Sequence, residues 1–190
     1  MDGKHSWTYL YFLLFLIVQE RCDACDWMIS QFRMKNSFCI SELEGMSGEI
    51  TSMHVPFPHQ EYYDIEMAKV EDQVRFLTYA TDHIIKLLNA VSLKDDIDWD
   101  SKKLDNLLNV LDYRQLKELT KCTATYARRA GHSSSKKKLR RHFRKLKKML
   151  NDSNYSANSL AQIRNVMLQH LRRMDIIAAN VSQELTKKTN

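Results

Sequence analysis

The chain has 190 residues and a formal charge of +6, a length that suits one domain with a sizeable core. Its few glycines and prolines (Gly3, Gly45, Gly48, Gly131, Pro56 and Pro58) fall outside the periodic apolar blocks or, like Gly45, where one stops. That segregation, with no alternating strand-like run and no long repeat, argues against sheet folds and for an all-α one.

The chain opens with a basic Lys4 and the apolar run Trp7–Val18. The run is shorter than the roughly 20 residues a spanning helix needs, so it is expected to be a secretory signal peptide rather than an anchor. Cleavage after Ala24 would leave residues 25–190 as one secreted, extracellular domain and remove Cys22. The remaining thiols are Cys25, Cys39 and Cys122, and secretion favours one disulfide among them.

A first helix is expected over Asp26–Met46, with Met28, Phe32, Cys39, Leu43 and Met46 on one face and Lys35 as its weak point. Cys39 on that face reads as a small buried hydrophobe. Ser47–Gln60, with Val55-Pro-Phe-Pro, is long enough to cross a bundle end to end and let the first two long helices run parallel. Met67–Val91 carries the strongest stripe: Met67, Val70, Val74, Leu77, Ile84, Leu88 and Val91, broken only by Thr81 and widened by Phe76, Ala80, Ile85 and Leu87. A helix apolar over half its circumference is surrounded by other helices.

Asp96, Asp98 and Asp100 follow, but Ser101 stands where a calcium loop needs Gly and Leu107 where it needs Glu. Asp98 or Asp100 instead suits a helix cap. A third helix over Ser101–Cys122 has Leu104, Leu107, Leu108, Leu111, Leu116 and Leu119 on its face. After a loop over Thr123–Ser135, the fourth helix, Lys136–Leu150, buries Leu139, Phe143, Leu146 and Leu150 and is otherwise cationic. No acid occurs between Thr120 and Asn151, so the remainder of the chain is acidic. A polar break precedes the last helix, Ser156–Leu185, whose core line includes Leu160, Ile163, Met167, Leu171 and Met174. Sequons stand at Asn151, Asn154 and Asn180, the first two in the break, where a glycan is tolerated.

Several separated stretches resemble fish type I interferons: Cys25-Asp-Trp-Met, Val-Pro-Phe-Pro, Val70-Glu-Asp-Gln-Val-Arg-Phe-Leu, Trp99-Asp, Leu139–Lys147 and His170-Leu-Arg-Arg-Met-Asp. The likeness is collinear over the mature chain. It implies an up-up-down-down helical cytokine bundle of five helices with a long first crossover. It also implies an antiviral cytokine that joins two class II cytokine receptor chains and triggers Janus kinase/STAT signalling. By the same resemblance, Cys25 and Cys122 match the cysteines that pair in members with one core disulfide. Arg164 matches the arginine of the last-helix motif Trp-Glu-x-x-Arg, although Leu160 and Ala161 replace its Trp and Glu. The resemblance puts one receptor site on the first helix, the crossover and the last helix. Arg164, Leu168 and Arg172, four residues apart, form the candidate stripe.

No catalytic motif, phosphate loop or close metal-ligand pair accompanies the scattered histidines, so neither an enzyme nor a cofactor is expected. The rival reading is a basic host-defence polypeptide that binds heparin-like glycans or anionic membranes through Lys137, Arg140, Arg141, Arg144 and Lys148. The leader argues against nucleic acid. The core's claim on the apolar face of the fourth helix argues against stable membrane insertion.

Overall fold

The computed structural model describes residues 24–48, 55–94, 97–126 and 133–189, and these are helical apart from their connections. The apolar core of the expected leader lies outside the described residues, as do residues 49–54 of the crossover and Asp96.

Residues 24–30 are helical and, after a turn at Gln31, lead into α1, Phe32–Glu44. Met28, Phe32, Cys39, Leu43 and Met46 are buried as their spacing implies. The gap in that stripe is filled by Asn36, not Lys35. Asn36 is fully buried, and its Nδ2 donates to Leu171 O at 2.9 Å on the last helix. Burial pushes the free Cys39 thiol up to about 12, so it stays protonated and unreactive at neutral pH.

A short α2, His59–Glu66, then precedes α3, Val70–Ser92. The expected central helix therefore starts later than Met67, which is 71% exposed at the break. The break is held by Gln73, whose Nε2 donates to the carbonyls of Glu66 and Ala68 and so satisfies the open end of α2. Beyond it the stripe is as read: Val74, Leu77, Ile84, Leu88 and Val91 are fully buried, and Thr81 satisfies its hydroxyl on Leu77 O at 2.8 Å. Truncating one such leucine to Ala costs about 2–5 kcal/mol.

The Asp100 side chain accepts from Lys103 N and caps α4, Ser101–Asn109. This helix continues through a π-helical segment, Val110–Leu116, into α5, Lys117–Ala124. The wider π turn brings Gln115, rather than Leu116, into the core. Helices α6, Ser133–Asp152, and α7, Ala157–Thr189, complete the fold.

Cross-helix pairs give the directions. Arg33 meets Asp175, Asn36 meets Leu171 and Met46 meets Arg164, so α1 and α7 are antiparallel. Glu42 meets Asn106, Gly45 meets Lys103, and Cys25 is bridged to Cys122 with Cα atoms 4.7 Å apart. The α4–α5 rod therefore runs against α1. It also runs against α3, since Thr78 meets Thr123 while Glu71 lies near Tyr126. Helices α1 and α3 are thus parallel, and α1, α3, the α4–α5 rod and α7 run up-up-down-down. Helix α6 lies along α3 and parallel to it, with Lys136 near Arg75 and His83 against Phe143.

Inside the bundle, the Tyr62 hydroxyl lies 2.6 Å from His170 Nδ1, and His170 Nε2 lies 3.1 Å from His142 Nε2. Both rings are buried, with Phe57 packed on them. With both rings neutral, Tyr62 O–H donates to His170, and His170 Nε2–H donates to His142. Burial pushes His142 down to about 4, with Lys145 adding repulsion, and holds His170 well below its ordinary value. The unfolded chain takes up these protons near pH 6.5, so stability falls as pH drops from there towards about 4. Urea midpoints measured across this window should decline on acidification. His142→Gln should make the decline shallower, and an equal slope in that variant would remove His142 as a contributor to it.

Candidate functional site

The arginines and leucine of the candidate stripe have different surroundings. Arg164, half-buried, donates through its guanidinium to the carbonyls of Met46 and Gly48, where the chain leaves α1. Leu168 is only 8% exposed and belongs to the core, so it is not part of an outward stripe. Arg172 is exposed and pairs with Glu44 of α1 at 2.8 Å. One turn further, Ile176 continues the line at 44% exposure. Beside it Asp175 pairs with Arg33 at 3.6 Å, and Ile29 stands 42% exposed along the same α1–α7 groove. The outward face is therefore two apolar residues among charged pairs, with Arg164 beneath it fastening the crossover.

The departure at Leu160 and Ala161 has a local cause. Both are buried, and Gly48 crosses directly over Ala161: a Cβ added at Gly48 would lie 3.0 Å from the Ala161 Cβ. Gly48 also has φ +116°, which favours glycine. A small residue at position 161 is what lets the crossover lie this close to α7.

The five candidate polyanion-binding residues, Lys137, Arg140, Arg141, Arg144 and Lys148, are all exposed. Spaced at helical intervals, they share an outward arc of about 100° on α6, and only the edges of that arc meet different neighbours. Arg141 faces the Pro56–Pro58 segment, whereas Arg140 and Arg144 face α3. Lys148 is held by Asp152 at 2.5 Å. Asn151 and Asn154 are exposed at the α6–α7 turn, with Asn154 at φ 47°, which asparagine tolerates.

The His142–His170 pair escaped sequence reading. The two residues are 28 positions apart, and periodicity shows which face each occupies, not that their rings meet.

This fold, an all-helical bundle whose first two long helices run parallel across a long crossover, is that of a helical cytokine. The chain matches the interferon alpha/beta domain family over residues 28–181. It is 35% identical to interferon a3 of Oncorhynchus mykiss over 184 residues, covering 95% of this chain and 99% of that one. It is similar to the structure of zebrafish interferon 1 with a TM-score of 0.75 and 39% identity, over 83% of this chain and 99% of that chain. The chain belongs to the interferon alpha/beta family, whose members are antiviral cytokines rather than enzymes.

Restoring the motif carboxylate tests the crossover packing. Ala161→Glu buries a charge against Gly48 and should destabilise the fold by about 3 kcal/mol or more, measured by urea unfolding. A change within about 0.5 kcal/mol would mean that the crossover yields freely at this point.

Proposed function

We propose that the chain is a secreted antiviral cytokine that joins two class II cytokine receptor chains, whose Janus kinases then activate STAT signalling. In this reading the leader is removed before Cys25, and Asn151 and Asn154 are glycan acceptors. Among the described residues, no helix is long and apolar enough to cross a membrane.

The observation that carries the reading is the α1–α7 face. Exposed Ile29 and Ile176 lie among the Arg33–Asp175 and Arg172–Glu44 pairs. Apolar residues within a charged frame suit protein recognition, and arginine is common among residues that dominate binding energy. In our reading Arg172 contacts a receptor chain. Arg164 acts through the crossover that it holds, and Leu168 supports the face from below.

Residues 25–190, refolded and applied to fish cells, should induce antiviral genes, and a Janus kinase inhibitor should abolish the response. Arg172→Glu should raise the half-maximal concentration at least about tenfold, with helix content unchanged by circular dichroism. Full potency in that variant would remove Arg172 from the contact. Absence of induction by the correctly folded wild-type chain would overturn the function.

A further inference from the structure

Helix α6 carries its cations on two flanks that the bundle treats differently. On one, Lys138, Arg141 and Lys145 line a groove with Pro56, Phe57 and Pro58. Lys138 lies 3.1 Å from the Glu61 carboxylate there. That flank is partly neutralised from within.

On the other, Arg140, Arg144 and Lys147 line a groove shared with α3, with Lys86 on its far wall and Leu87 and Phe143 within it. All four cations are exposed. Lys86 pairs with Asp82 at 2.6 Å. Among the described residues, no carboxylate pairs with Arg140, Arg144 or Lys147. Their spacing of four and then three residues sets them on one side of α6 over about 10 Å of helix rise. Like charges on successive turns repel, so this row destabilises the free helix.

A row of this kind complements a linear ligand with repeated negative charge better than a single anion. Of the linear and planar polyanions, the structure favours the linear one. Leu139, Phe143, Leu146 and Leu150 are buried, so α6 keeps no apolar face to insert into a lipid surface. Two arginines favour oxyanions that accept two parallel N–H donors, as a sulfate group does.

We propose that the α3–α6 groove binds a sulfated glycan of the heparin type through Arg140, Arg144, Lys147 and Lys86. Helix α6 makes no packing contact with α1, so the site stands apart from the α1–α7 face and does not depend on the receptor reading. A bound glycan would hold the protein at cell surfaces and matrix while leaving that face open.

The test is salt elution of residues 25–190 from immobilised heparin. Arg140→Gln/Arg144→Gln/Lys147→Gln is compared with a variant losing equal charge from the opposite flank, Lys138→Gln/Arg141→Gln/Lys145→Gln. The groove variant should elute at distinctly lower salt than wild type, with a shift at least about twice that of the control, because each ionic contact adds to the salt dependence. Equal shifts would show that net charge alone drives retention, and no shift would show that the groove is uninvolved. Both outcomes overturn the site. Mixed phosphatidylcholine–phosphatidylserine vesicles at the same ionic strength form the second arm. Weaker binding to them than to heparin supports the glycan, whereas binding at least as tight would assign the patch to lipid surfaces instead.

Discussion

The arrangement depends on how the crossover between two parallel helices is fastened. Helices α1 and α3 run the same way, so the chain must return along the whole bundle before α3 can begin. Both described ends of that return are held by α7. At the start, the Arg164 guanidinium takes the carbonyls of Met46 and Gly48, while Gly48 rests on Ala161. At the end, Phe57 and Tyr62 close on His170. Backbone carbonyls that have left a helix need partners, and an arginine fork can satisfy two at once. One helix thus organises the loop that makes the topology possible, and its outward side carries Arg172 and Ile176.

The interior of the clamp is polar by design of its geometry. Tyr62, His170 and His142 form a hydrogen-bonded line through an otherwise apolar region, satisfied only while both rings are neutral. Such a line gives direction to the packing of α2, α6 and α7, since sliding any of them leaves a buried donor or acceptor without its partner. The Cys25–Cys122 bridge acts at the other end of α1. It closes a loop of 97 residues in separation, a constraint on the unfolded chain of about 4–5 kcal/mol in the chain-entropy view. The Cys39 thiol, shielded between these two points, has no part in that chemistry.

Much of the bundle was legible because burial follows the helical period. The α3 stripe, the buried Cys39 and the capping role of Asp100 all follow from residue type and spacing. The misreadings share one cause. A periodic pattern marks a face but not where a helix begins or widens, so it places Met67 in a helix that starts three residues later and gives Leu116 the position that the π turn hands to Gln115. Asn36 does not stand out in the pattern, because a polar residue becomes a core residue only when a neighbouring helix offers it a carbonyl. Leu168 shows the same limit at the candidate site. Its spacing from Arg164 and Arg172 is regular, but α7 is enclosed enough at that turn to bury it. Nothing in a one-dimensional pattern tells a wide buried sector from a narrow one, or divides a cationic helix into a neutralised flank and an open one.

The central functional claim is that the face formed by the end of α1, the crossover and α7 receives a receptor chain. Backbone hydrogen exchange of residues 25–190, with and without a receptor ectodomain that binds them, tests it most directly. The account predicts new protection at the start of the crossover around residues 44–48 and along α7 around residues 172–176, with α6 unchanged. Protection confined to α3 and α6, with the α1–α7 face exchanging as in the free protein, would contradict it.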